Sequence, residues 1–128
     1  MTPDDLVDAV AAWAVAQPDV AGAALVGSHA RGEARPDSDV DFVILTDDSA
    51  RYTAVHDWAA AFGRVTSTSV EDWGRVRSVR VHYVDGLEAE FGFAAPDWAS
   101  TPCDAGTRDV VDGGFRILAD PAGLLAAL

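Results

Sequence analysis

The residues able to do chemistry in this 128-residue chain concentrate between Gly27 and Phe42. Two devices meet there. The first is Gly27-Ser28, which follows the small apolar run Val20–Val26. Glycine lets a backbone come close to a ligand, and free N–H groups beside a hydroxyl suit phosphate oxygens. The second is Asp39-Val40-Asp41 at the start of another apolar run. Strand alternation puts both carboxylates on one face and Val40, Phe42 and Ile44 on the other. Carboxylates this close repel, and burying them bare is costly. A divalent cation relieves the repulsion, and Mg²⁺ is usually held by one or two carboxylates plus substrate phosphates. A phosphate loop joined to metal carboxylates makes a site for a nucleoside triphosphate.

A hairpin later in the chain adds acids. Arg75–Tyr83 and Leu87–Phe93 read as strands joined through Val84-Asp85-Gly86. A two-residue Asp-Gly loop would mix polar and apolar residues on both faces. A three-residue loop, with Gly86 in the left-handed position, pairs Tyr83 with Leu87, Val81 with Ala89 and Val79 with Phe91. The buried face sets register, so the second arrangement is preferred. The other face then carries His82 opposite Glu88 and Arg80 opposite Glu90.

The Gly-Ser pair, its spacer and the Asp-x-Asp between apolar residues resemble the nucleotidyltransferase superfamily with the DNA polymerase β-like catalytic fold. Gly27-Ser28-x-Ala30-Arg31-Gly32 and Ser38-Asp39-x-Asp41 are most similar to its bacterial branch. That branch includes aminoglycoside and lincosamide nucleotidyltransferases and stand-alone minimal ones. The resemblance covers Val20 to Ala95 and implies a third carboxylate from a later strand. Ala89-Glu90-Phe91 fits that apolar-acid-apolar context best, so Glu90 is first choice and Glu88 second.

The roles that follow are those of the family. Asp39 and Asp41 would hold Mg²⁺ against the triphosphate. Gly27 and Ser28, with Arg31 and Ser38, would bind the nucleotide, expected to be ATP. Glu90 would complete a second metal site or act as general base on an acceptor hydroxyl, which attacks the α-phosphate in line. The acceptor is expected to be an aminoglycoside- or lincosamide-like small molecule. Two other readings stay open: an antitoxin that modifies or binds a small helical toxin, and a silent nucleotide-binding module. Larger relatives add a helical domain that binds the acceptor. The chain here is too short beyond Glu90 for a helical bundle, so the acceptor pocket is expected from the tail, a partner or a second copy in a homodimer.

These side chains need elements to position them. Asp4-Asp5 precede Leu6, Val7, Val10, Trp13 and Ala14 at helical spacing, and Gln17-Pro18-Asp19 ends that helix. Val20–Val26 and Val40–Leu45 read as strands, with a loop over Gly27–Ser38. Asp47-Asp48-Ser49 offers an N-cap to a helix carrying Tyr52, Val55, Trp58, Ala59 and Phe62, with Gly63 as its left-handed end. Arg64–Val70 reads as a short strand and Pro121–Leu128 as a terminal helix, while Asp109–Leu118 is ambiguous. The fold class is therefore α/β (α+β), a mixed β-sheet with helices mainly on one face. One domain is expected over 1–128, with the motifs in 20–95 and a tail over 96–128.

Plainer roles compete for several residues. Arg31 either touches phosphate or pairs with a nearby Asp to brace the loop, and Arg35 reads as an exposed loop residue. Arg80 reads as a cross-strand ion pair with Glu90, ahead of a role in orienting Glu90 or meeting a phosphate. His29 has no assigned role, and His56, on the second helix, and His82 read as structural. Trp13, Trp58 and Phe62 read as core, Trp73 and Trp98 as packing ahead of lining an acceptor pocket, and Cys103 as a small apolar residue.

Composition narrows the function class. All nine basic residues are Arg, against 17 Asp and four Glu, for a formal charge of −12. So acidic a chain is a poor general binder of nucleic acid. One cysteine excludes an internal disulfide, and no Cys/His cluster has zinc spacing. No apolar run is long enough for a membrane span. The first 17 residues lack a basic n-region, so a cytoplasmic location is expected.

Overall fold

A computed structural model describes residues 1–128. Helix α1, Pro3–Ala16, opens with a capping box. The Thr2 hydroxyl accepts from Asp5 N–H at 3.1 Å, and the Asp5 carboxylate accepts from Thr2 N–H at 2.9 Å. Two otherwise orphaned donors are thereby satisfied. Strand β1, Val20–Val26, runs into a short helical turn, α2, Gly27–Ala30. Strand β2, Val40–Thr46, returns antiparallel to β1 and sets Val26 opposite Asp41.

The expected second helix breaks in two. Helix α3 covers Ser49–Ala54, Val55 is extended, and a 3-10 segment covers Asp57–Ala61. A continuous helix would offer the carbonyls of Tyr52 and Thr53 to backbone N–H groups four residues on. Side chains take them instead. Trp58 Nε1 donates to the Tyr52 carbonyl at 2.9 Å, and His56 Nε2 donates to the Thr53 carbonyl at 2.8 Å. His56 thus sits at the break rather than on a helix. The Asp48 side chain makes no cap hydrogen bond, and Gly63 is not left-handed but packs against Tyr83.

Strands β3, Val65–Asp72, β4, Arg77–Tyr83, and β5, Glu88–Ala94, follow. The β4–β5 hairpin has the expected register, Val81 opposite Ala89, Val79 opposite Phe91 and Arg80 opposite Glu90. Gly86 is left-handed, with φ of 93°. A 3-10 segment, Pro96–Ala99, leads to α4, Ala105–Asp112, and β6, Phe115–Ala119. The ambiguous stretch is therefore the end of a helix and then a strand. Residues 121–128 form turns, not a helix, because the Asp120 carboxylate captures Leu125 N–H and Ala126 N–H, both at 3.0 Å.

The sheet order is β3-β4-β5-β2-β1-β6. β2 and β5 lie parallel at its centre, and the other neighbours are antiparallel. This mixed sheet is the expected fold class. One face carries the main core, where Leu6, Val10, Tyr52 and Phe62 meet Phe42, Ile44, Phe91 and Phe93. The other face is only partly covered. A second core of Val26, Val43, Leu45, Ala94, Trp98 and Leu125 seals its far half. That two-sided burial explains the unbroken apolar run in β2, since central strands covered on both faces lose alternation. No helix is long and apolar enough to cross a membrane.

Candidate active site

The near half of the partly covered face holds the acids. Strand parity turns Val40 and Phe42 into the core and leaves Asp41 opposite. In β5 it turns Ala89 and Phe91 inward and leaves Glu88 and Glu90 half-buried. Register then lines up Val26, Asp41, Glu90 and Arg80 across four adjacent strands. Asp41 and Glu90 are direct neighbours in the parallel pair.

Asp41 feels this crowding. Burial first, then the charges of Glu90 and Asp39, push its carboxyl up to about 7. Arg80 pulls the other way, and a side-chain hydrogen bond with Glu90 pushes further up. In mildly acidic solution Asp41 therefore keeps a proton that an ordinary carboxylate has released.

Gly27 explains its own identity. Its φ is +72°, and a Cβ there would lie 2.7 Å from Asp41 Oδ2. The backbone turns into α2 directly against the carboxylate, which only glycine permits. The Gly27 carbonyl accepts from Arg31 N–H at 3.2 Å, closing the turn. Ser38 is used within the loop: its hydroxyl accepts from Arg35 N–H at 2.8 Å, and its carbonyl accepts from His29 Nε2 at 3.3 Å. Arg31 braces the loop, but not through an Asp. Its Nε pairs with Glu33 at 3.0 Å and its Nη1 donates to the Gly113 carbonyl at 2.9 Å.

Arg80 is more than the expected cross-strand partner of Glu90. Its guanidinium also meets Asp39, Glu71 and Glu88. Hydrogen bonds to Glu71 first, then to Asp39, hold its pKa above the usual arginine range. Asp39, Glu88 and Glu90 are thereby drawn toward Arg80, and no three His, Cys, Asp or Glu side chains stand ready as a chelate. The donor set itself is all oxygen and suits a hard divalent cation. The missing Cβ at Gly27 leaves space against Asp41 Oδ2.

Asp41, Glu90, Gly27 and Arg31 line one end of a cleft of about 590 Å³. Its floor is Val26, Val43 and Gly92, and its walls include Trp98, Thr107 and Val110. Gly92 keeps the floor low, since a Cβ there would lie 2.8 Å from Val76. A glycine inside an apolar strand was a readable sign of close approach. Trp73 departs from its expected packing role. It is 62% exposed at the lip of the cleft, and its Nε1 donates to Glu90 Oε1 at 3.3 Å. Trp98, in contrast, is buried. Arg75 closes the same lip by pairing with Asp97 and Asp104. Neither Trp73's contact nor the Arg75 pairs had a local signal, because their partners lie 17 to 29 residues away.

Comparison with known proteins bears on the family and the fold. The profile of the nucleotidyltransferase domain family matches residues 12–93, well over half of the chain. No curated protein matches by sequence. Among solved structures, an aminoglycoside 6-adenyltransferase from Bacillus subtilis superposes with a TM-score of 0.61 at 12% identity. The match covers 77% of this chain and 37% of that enzyme, so the chain spans well under half of its length. At that identity the likeness is one of fold.

Proposed function

The chain belongs to the nucleotidyltransferase domain family, and from that premise we propose that it transfers AMP from ATP to a hydroxyl acceptor with Mg²⁺. The observation that carries the reading is the pairing of Asp41 with Glu90 beside the close-packed Gly27. Asp41, Asp39 and Glu90 are the residues to hold Mg²⁺, one ion or two. When bound, Mg²⁺ would neutralise charge on the phosphates and on the oxygens that enter and leave.

The chain's own groups do the rest. The turn at Gly27-Ser28 and the Arg31 guanidinium receive the triphosphate. Ser38 supports that turn from within the loop. Glu90, or Glu88 as second choice for that third carboxylate, either completes a second metal site or takes the acceptor proton. The acceptor oxygen bonds to the α-phosphorus, the bond to the bridging oxygen breaks, and pyrophosphate leaves. The apolar floor of Val26 and Val43 lowers the local dielectric, which strengthens each of these charge interactions. The acceptor is a small molecule, of aminoglycoside or lincosamide type, and the reaction belongs in the cytoplasm. A second reading, nucleotide binding without transfer, is favoured by the hold of Arg80 on Asp39 and Glu90.

Incubation with α-labelled ATP, Mg²⁺ and pooled acceptors tests the proposal. Wild type should label an acceptor and release pyrophosphate, and Asp41→Asn should fall by about a hundredfold or more. Equal labelling by the two proteins would remove the enzymatic reading. ATP binding with no labelled acceptor would leave the silent module.

A further inference from the structure

Arg80 makes more ion pairs than any other side chain in the molecule, and the transfer reading gives it no task. Its Nη1 lies 2.5 Å from Asp39 Oδ2 and 3.1 Å from Glu88 Oε1, and its Nη2 lies 3.2 Å from Glu90 Oε2. Its Nε is fixed to Glu71 at 3.0 Å. The guanidinium is 23% exposed, so these charges act in a partly dried setting. The other cationic groups nearby are peripheral. His82 reaches only Glu88, at 3.3 Å, and Arg31 is turned to Glu33 and Gly113.

Two of the oxygens Arg80 holds, Asp39 Oδ2 and Glu90 Oε2, belong to the carboxylates assigned to Mg²⁺. An arginine cannot give up its charge by deprotonation. It can only move aside. Glu71, on the edge strand, lies outside the proposed metal set and keeps the guanidinium tethered through Nε when Nη1 and Nη2 let go. We propose that Arg80 and the divalent cation compete for Asp39 and Glu90, so that metal enters by exchange with a resident guanidinium. The inference rests on the metal-dependent reading above. It makes Arg80 a positioning residue that keeps affinity for the metal alone low.

Mn²⁺ binding to the whole chain, followed by the electron paramagnetic resonance of the free ion, tests this. Arg80→Gln should bind Mn²⁺ roughly tenfold more tightly than wild type at low salt, the gain shrinking as salt rises. Arg80→Lys keeps the charge but not the fork, and should fall between. Unchanged or weaker binding by Arg80→Gln would overturn the competition. If Arg80→Gln proves unfolded by circular dichroism, the wild type decides. The ¹⁵Nη resonances of Arg80 should shift on saturation with Mg²⁺, since Nη1 and Nη2 leave their carboxylates while Nε stays on Glu71, and stationary Nη resonances would equally overturn it. Failure of wild type to take up Mn²⁺ even with a non-hydrolysable ATP analogue would sink the transfer reading. Uptake with the Arg80 results null would sink this inference alone.

Discussion

Gly27 answers to two constraints at once, a left-handed backbone and the nearness of Asp41 Oδ2. Gly27→Ala should therefore lose about 1–2 kcal/mol from the backbone alone, before the carboxylate is displaced. Urea unfolding should show the loss, and AMP transfer should fall with it as Asp41 is pushed out of line. Asp41 makes a separate statement about pH. Its carboxyl is raised from 3.8 to about 7, so between these values the folded chain holds a proton that the unfolded chain has released. Stability should then fall as pH rises from about 4 to about 7, in EDTA. The acids with lowered pKa values, Asp5, Asp19 and Asp104, contribute fully above about pH 4 and do not mask this slope. Melting temperatures across the window should decline for wild type and flatten for Asp41→Asn. A slope identical in the two proteins would place the proton elsewhere.

At the scale of elements, legibility followed locality. The strands β1, β2, β4 and β5 were readable because their apolar parity is local, and the β4–β5 register because Gly86 and the apolar face agree. The acids of the site came with those strands. Other features were decided by distant partners. The helix after Asp48 breaks because Trp58 and His56 take carbonyls that periodicity alone assigns to the backbone. The end of the chain is shaped by Asp120, a single carboxylate with two N–H partners. The lip of the cleft was illegible for the same reason. Arg75, beside the β3–β4 turn, pairs with Asp97 in a 3-10 segment and with Asp104, the N-cap of α4. These pairs are exposed, so Arg75→Ala should leave global stability nearly unchanged. Its effect should be on the lip. Acrylamide quenching of Trp73 fluorescence, read in a background where Trp13, Trp58 and Trp98 are Phe, should rise on Arg75→Ala. No change would mean that the ion pairs do not restrain the turn.

The whole molecule divides its sheet unequally. One face rests, over its central strands, on a core of large aromatic and aliphatic side chains. The other is half sealed, and the boundary between sealed and open surface is where the acids stand. Val26, Val43 and Trp98 belong both to the second core and to the cleft lining. The main core shares only Phe42 with that lining, so loosening the second core should reach the site far more than loosening the first. Leu125 and Leu6 make a matched comparison, at 1% and 0% exposure. Leu125 packs on Gly22 from the open-face side, where a Cβ on Gly22 would already lie 3.0 Å from it. Leu6 packs in the main core through α1. Each leucine changed to alanine should lose about 2–5 kcal/mol by urea unfolding. Well below either unfolding midpoint, Leu125→Ala should also weaken binding of Mg²⁺-ATP, because its cavity lies behind the floor and wall of the cleft. Leu6→Ala should bind as wild type does. Equal weakening in both variants, measured by calorimetry on the folded proteins, would mean that the two cores act on the site as one and that the sheet does not insulate them.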